Sequence, residues 1–124
     1  MKEYITLTVD GKSVKIEKGS TLLEAARKAG ADIPTLCHDE RVKPYGACGM
    51  CVVECKGSPK LMRSCAIEAA DGMEIITESD RINRARRFSL EMLLSDHTGD
   101  CKAPCSLACP AGTDCQGYVG LIAN

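Results

Sequence analysis

Residues 3–9 (Glu3-Tyr4-Ile5-Thr6-Leu7-Thr8-Val9) alternate apolar and polar side chains with period two, the pattern of a half-buried strand. Asp10-Gly11 is a two-residue hairpin signal, and Ser13 to Glu17 alternates again through Val14 and Ile16. After Gly19 the period lengthens. Thr21-Leu22-Leu23-Glu24 has the form of a capping box, in which the Thr21 hydroxyl accepts from the Glu24 amide and the Glu24 carboxylate reaches back. Leu22, Ala25, Ala26 and Ala29 then make an apolar stripe at helical spacing, which Gly30 and Pro34 bring to a stop. Residues 35–51 read as loop. Met50 to Lys56, Leu61 to Ile67 and Met73 to Thr77 read as strands, with Gly57-Ser58-Pro59 and Asp71-Gly72 as the turns between them. The order β-β-α-loop-β-β-β predicts an α+β fold, a small mixed sheet packed on one helix.

From Asp80 to about Ser95 the pattern is helical again, with Asp80 placed to cap it and Ile82, Ala85, Ser89, Met92 and Leu93 on one face. Arg81, Arg84, Arg86 and Arg87 cover much of the rest, either as a solvated face or as a contact for a partner. Beyond Thr98 the periodicity is lost in a segment rich in Cys, Gly, Pro and Ala, until Gly117 to Ala123 resembles the first turns of a helix. Three parts are expected: a domain over 1–79, a connecting helix over 80–97 and a Cys-rich, irregular tail over 98–124. The sequence reads as a fragment of a longer polypeptide.

The chain has 124 residues, 44% hydrophobic and 27% charged, enough for one modest domain with an appendage. It has no Trp and one Phe, so aliphatic side chains must build the core. A net charge of -1 argues against a nucleic-acid binder. The first residues lack a signal-peptide core and no apolar run is long enough to span a membrane, so a cytoplasmic location is expected. Nine cysteines, an odd number, fit a disulfide framework poorly, and in a reducing compartment they stay free for metal.

Four of them, Cys37, Cys48, Cys51 and Cys65, are spaced C-x10-C-x2-C-x13-C, with Gly46 and Gly49 beside the central pair. Thiolates are soft ligands that suit an iron–sulfur cluster or zinc. A tight Cys-x2-Cys turn supplies two of them, and glycines let the backbone approach the inorganic core. Zinc ribbons usually carry two such knuckles, and this block has one. A two-histidine Rieske centre is excluded, because only His38 lies nearby. Cys55, inside a predicted strand, reads as a small buried hydrophobe, with ligation as the alternative. His38 reads as a surface group or a neighbour of the site.

Ile33-Pro34-Thr35-Leu36-Cys37, Gly46-Ala47-Cys48-Gly49-Met50-Cys51-Val52-Val53-Glu54, Cys65 and Gly72-Met73 together resemble the N-terminal 2Fe-2S domain of the large iron–sulfur subunit of respiratory complex I and of many FeFe-hydrogenases. The resemblance covers residues 1 to about 97. It implies a β-grasp ferredoxin fold and a one-electron 2Fe-2S centre on Cys37, Cys48, Cys51 and Cys65.

The second block holds Cys101, Cys105, Cys109 and Cys115. His97-x3-Cys101 resembles the start of the next motif in the same family, where one His and three Cys hold a 4Fe-4S cluster in the pattern H-x3-C-x2-C-x5-C. The gaps after Cys101 are three, three and five, so His97 is an alternative ligand, or a side chain on the last helix carbonyls. Pro104-Cys105-Ser106-Leu107-Ala108-Cys109-Pro110 resembles the N-terminal cluster region of the glutamate synthase small subunit and of NADH-dependent ferredoxin:NADP oxidoreductase. That resemblance implies 4Fe-4S clusters ahead of a flavin-binding module. The four cysteines bind one such cluster or are divided between two, with a zinc site or a tail without order as competitors.

No nucleophile–base pair, GxGxxG or P-loop is present, so catalysis is expected elsewhere. The resemblances together imply an electron relay in an NAD(P)-linked oxidoreductase complex, with electron bifurcation by that complex as a further expectation. Its partners would be flavin- and NAD(P)H-binding subunits, with FAD or FMN carried by them or by further sequence. The alternatives are a zinc-binding interaction module without redox role and a stand-alone 2Fe-2S ferredoxin.

Overall fold

The computed structural model describes residues 3–96 and 101–124, and the chain divides into two compact units, Met1–Leu93 and Leu94–Asn124. The first is built on a five-stranded sheet. Its strands are β1 (Tyr4–Val9), β2 (Lys12–Glu17), β3 (Val52–Cys55), β4 (Met62–Arg63) and β5 (Glu74–Ile76), in the spatial order β2-β1-β5-β3-β4. β1 and β2 pair antiparallel from Tyr4↔Glu17 to Val9↔Lys12. β1 pairs parallel with β5 (Thr8↔Glu74, Val9↔Ile75), and β5 and β4 each run antiparallel to β3. This is the expected β-grasp arrangement.

The hairpin turn forms because Asp10 and Gly11 both accept positive φ, 47° and 80°. The Asp10 carboxylate then accepts from the Thr77 amide at 2.8 Å and the Thr77 hydroxyl at 2.6 Å. A polar turn is thereby fastened to the end of the strand that runs parallel to β1.

Helix α1 (Leu22–Lys28) begins with the anticipated capping box. The Glu24 amide donates to the Thr21 hydroxyl at 3.2 Å, and the Thr21 amide donates to the Glu24 carboxylate at 2.6 Å. Leu22, Leu23, Ala25 and Ala26 are buried on Leu7, Val9, Val14, Ile16, Val53 and Ile75. Two further donors at the helix start are spent on the segment 64–67: Leu22 N–H on the Ile67 carbonyl at 2.9 Å, and Leu23 N–H on the Ser64 carbonyl at 3.0 Å. These bonds fix Cys65 against the helix.

Helix α2 (Asp80–Ser95) departs from expectation at two points. Its cap is Ser79, whose hydroxyl accepts from the Ile82 amide at 3.2 Å, while Asp80 sits in the first turn. Of the face read as apolar, Ile82 is fully buried but Met92 and Leu93 are exposed. The strand expected over Leu61–Ile67 is only Met62–Arg63, because the chain turns at Ser64 to carry Cys65 inward.

The second unit holds two short helices, α3 (Pro104–Leu107) and α4 (Cys115–Ala123), where an irregular tail was expected to become helical only near Gly117. Asp114 caps α4, accepting from the Gly117 amide at 3.0 Å. The Gln116 side chain accepts from the Ala103 amide at 3.1 Å and donates to the Cys101 carbonyl at 3.0 Å. Among the described residues no helix is long and apolar enough to cross a membrane.

Candidate iron–sulfur site

All nine cysteines are free thiols. Cys37, Cys48, Cys51 and Cys65 come together at one edge of the core from three places: the loop after α1, the turn before β3, and the segment after β4. Cys51 and Cys65 belong to the core cluster itself, each 1% exposed, while Cys37 and Cys48 are half-buried toward the loop.

The thiols act on one another: Cys37 helps to lower the Cys48 pKa, and Cys51, Cys37 and Cys48 all help to raise that of Cys65. Among the described residues, no three His, Cys, Asp or Glu side chains gather on one point as a single ion requires. Four thiols in mutual reach would suit an iron–sulfur cluster, which they would hold as thiolates.

The backbone around them is shaped for an inorganic anion. Gly46 and Gly49 take φ of 67° and 73°, the left-handed region that favours glycine. A Cβ at Gly49 would stand 2.8 Å from the Ser89 hydroxyl, and one at Gly46 would stand 3.3 Å from the Ala66 Cβ. The loop is therefore pressed against α2 on one side and against the 64–67 segment on the other.

Burial pushes the Cys48 thiol up, but the Met50 amide, the Cys37 amide and thiol, and the Leu36 amide outweigh it and leave the pKa lowered. The Met50 amide approaches the Cys48 Sγ at 3.4 Å. Amide donors converging on a sulfur stabilise a thiolate and so suit a cluster ligand.

Cys65 is the opposite case. Burial, the Cys51 hydrogen bond and the neighbouring charges push its pKa from 9.0 up to about 12. In the cluster-free chain the folded state holds this proton where the unfolded state loses it. The stabilisation is complete below pH 9 and is lost as the pH climbs toward 12. Cys48, shifted downward, contributes fully above its unfolded pKa and adds no slope in that window. Urea midpoints of the cluster-free chain should fall between about pH 9 and about pH 12, and should fall less in Cys65→Ala.

Three further residues bear on this region: Ser64 and Ser79, which sequence reasoning did not name, and Arg86, named only as one of four helix arginines. Ser64, fully buried, donates its hydroxyl to the Cys51 carbonyl at 2.7 Å and its amide to the same oxygen at 3.2 Å. It ties the two core-side cysteines together, and no sequence signal marks it. Arg86, read as part of a solvated face or partner contact, is half-buried and donates from Nη2 to the Val52 carbonyl at 3.0 Å and the Thr77 carbonyl at 3.1 Å. Its signal was its spacing, four residues after the buried Ile82. Ser79, besides capping α2, donates to the Glu54 carboxylate at 3.0 Å.

Cys55 lies in β3, packed against the core, as a small hydrophobe would. His38 is enclosed at Nδ1, without a partner there among the described residues. In the second unit Cys101 and Cys105 are exposed, and Cys109 and Cys115 are half-buried. The Cys115 thiol donates to the Cys105 carbonyl at 3.9 Å. The amide and hydroxyl of Thr113, with the Ala111 and Gly112 amides, lower the Cys109 pKa against burial. His97 lies outside the described residues.

A β-grasp sheet with a glycine-flanked, amide-lined thiol loop defines a ferredoxin-type iron–sulfur protein. The chain belongs to the 2Fe-2S iron-sulfur cluster binding domain family, whose sequence profile matches residues 2–80. It is 40% identical over 112 residues to the mitochondrial NADH-ubiquinone oxidoreductase 78 kDa subunit of Candida albicans, which covers 90% of this chain and 15% of that protein. It is 38% identical over 112 residues to the NADPH-Fe(3+) oxidoreductase subunit alpha of Geobacter sulfurreducens, covering 90% of this chain and 13% of that protein. Among solved structures it resembles NAD+-reducing NiFe-hydrogenase in the H2-reduced state, with 37% identity and a TM-score of 0.66 over 78% of this chain and 44% of that chain. The chain thus spans about a seventh of the curated relatives it matches.

Proposed function

We propose that this chain is an electron relay in an NAD(P)H-linked oxidoreductase complex, passing single electrons between a flavin-bearing partner subunit and further clusters. Its 2Fe-2S cluster is assigned to Cys37, Cys48, Cys51 and Cys65. The observation that carries this reading is the placing of Cys51 and Cys65 together in the core, tied through the Ser64 hydroxyl, with the Met50 amide approaching the Cys48 sulfur at 3.4 Å in the adjoining loop. When bound, the cluster supplies a one-electron couple. The chain's own part is to hold it dry on the core side, through Cys51 and Cys65, and near the surface on the loop side, through Cys37 and Cys48.

Residues 1–79 are taken as the cluster domain, 80–97 as a connecting helix and 98–124 as the start of a further module. Cys101, Cys105, Cys109 and Cys115 are assigned to a 4Fe-4S cluster, with His97 as the alternative ligand. The amides around Cys109 favour a thiolate there. The similarity to complex I-type subunits takes in 112 of the 124 residues, so it extends beyond the β-grasp domain into this second block. A glutamate-synthase-like flavin module downstream, and electron bifurcation by the parent complex, rest on the sequence resemblances. A cytoplasmic location is part of this reading, supported by a cysteine-rich composition that suits a reducing compartment.

Anaerobically purified protein should be brown, contain iron and acid-labile sulfide, and give a paramagnetic 2Fe-2S signal when dithionite adds one electron. A colourless, zinc-loaded protein would establish the interaction-module reading instead. A single 2Fe-2S signal, unchanged by Cys105→Ser and Cys109→Ser, would reduce the function to that of a simple ferredoxin.

A further inference from the structure

We propose that Arg86 sets the reduction potential of the 2Fe-2S centre, acting as a fixed positive charge held against the backbone next to Cys51. The inference rests on the ligand assignment above and goes beyond it.

The placement comes from α2. Ile82, Arg86 and Ser89 follow one another at helical spacing on the side that meets the sheet and the cluster loop. Ile82 is fully buried, and Ser89 closes on Gly49. Between them, Arg86 directs Nη2 to two carbonyls at once, Val52 at 3.0 Å and Thr77 at 3.1 Å. Val52 directly follows Cys51, so the guanidinium is anchored one peptide from a core-side thiolate.

Its surroundings leave the charge effective. The Nε is enclosed with no partner among the described residues. Burial lowers the pKa of Arg86, outweighing the opposing charges of Glu78 and Cys51. Glu78 is exposed, so solvent screens it more than it screens the half-buried cation. A guanidinium stays protonated throughout the working pH range.

Reduction of a two-iron centre on four thiolates adds one electron and no proton, so the net negative charge of the site grows by one. A nearby cation in a medium of reduced dielectric favours the more negative state. Arg86 therefore raises the potential, making this centre a better acceptor from a donor subunit. The two carbonyl bonds prevent the charge from swinging away into water.

The test is a potentiometric titration of the cluster-loaded chain, followed by the 2Fe-2S paramagnetic signal, in wild type, Arg86→Gln and Arg86→Lys. Glutamine keeps a donor for one carbonyl and removes the charge. Lysine keeps the charge and loses the planar fork. Arg86→Gln should lower the midpoint by about tenfold in the reduction equilibrium, which is about 59 mV for a one-electron couple. Arg86→Lys should stay within about threefold of wild type.

A wild-type midpoint in loaded Arg86→Gln overturns the proposal, as does a fall in Arg86→Lys equal to that in Arg86→Gln. Failure of Arg86→Gln to assemble a cluster also overturns it, since a residue that only sets the potential is dispensable for assembly. A wild-type chain without iron would instead defeat the ligand assignment itself, so the two failures are distinguishable.

Discussion

Cys65→Ala is expected to abolish the 2Fe-2S centre. Cys65 reaches the site from a segment separate from the Cys48-x2-Cys51 turn, and like Cys51 it is 1% exposed, in the core with α1 and the sheet. On the proposed ligand set, its removal would leave three thiolates to hold the cluster. The polypeptide should nonetheless remain folded without its cluster. Truncating one thiol in the core is a small change in volume, with a cost of about 1 kcal/mol. Cys55→Ala is the control: it removes a partly buried thiol from a strand position packed on the core, outside the proposed ligand set. The check is the 2Fe-2S paramagnetic signal per chain in the two variants. Cys65→Ala should lose it and Cys55→Ala should keep it. A wild-type signal in Cys65→Ala would remove this residue from the ligand set.

Gly49→Val should destabilise the chain by about 3 kcal/mol and prevent it from retaining a cluster. Two separate costs add. A β-branched residue held at a φ of 73° is strained, at about 1–3 kcal/mol. A Cβ there would meet the Ser89 hydroxyl at 2.8 Å, and relieving that contact requires either a different Ser89 rotamer or a displaced loop, at a further 1–3 kcal/mol or so. Ser89→Ala removes the oxygen and leaves the helix intact. The double variant should recover the steric share and none of the backbone share. Urea denaturation of the four chains, closing the mutant cycle, measures both. Full recovery by Ser89→Ala would show that the left-handed backbone carries no cost at this position.

The elements that declared themselves in the sequence are those whose causes are local. β1 and β2 follow from alternation around Asp10-Gly11, and α1 from its capping box and its stripe of Leu and Ala. The thiol loop was legible from cysteine spacing and the two flanking glycines. What escaped was decided at long range. The pairing of β1 with β5 joins residues more than sixty positions apart, and no local pattern encodes it. Leu61–Ile67 carries a strand's composition, yet only two residues pair. Three backbone donors at and after Ser64 and a buried serine hydroxyl are committed instead to placing Cys65. Arg86 was one arginine among four on a helix. It differs from Arg81, Arg84 and Arg87 only in facing the carbonyls that the ends of two strands leave available. Met92 and Leu93 hold apolar positions at helical spacing, but the sheet does not reach that far along α2, and they stay exposed.

The parallel pairing of β1 with β5 also bears on how the protein is made. β1 leaves the ribosome ahead of its partners and can fold with β2 as a hairpin, but its other neighbour comes only when residues 74–76 emerge. Every thiol assigned to the 2Fe-2S centre lies in the interval between, from 37 to 65. During translation those sulfurs are therefore displayed on a chain whose sheet is still open. Iron delivered early meets loose thiols, whereas iron delivered after the last strand has zipped in meets a formed cradle. On this topology the cradle is expected to close only after β5 has paired, so insertion of a cluster is expected to follow the synthesis of residues 74–76.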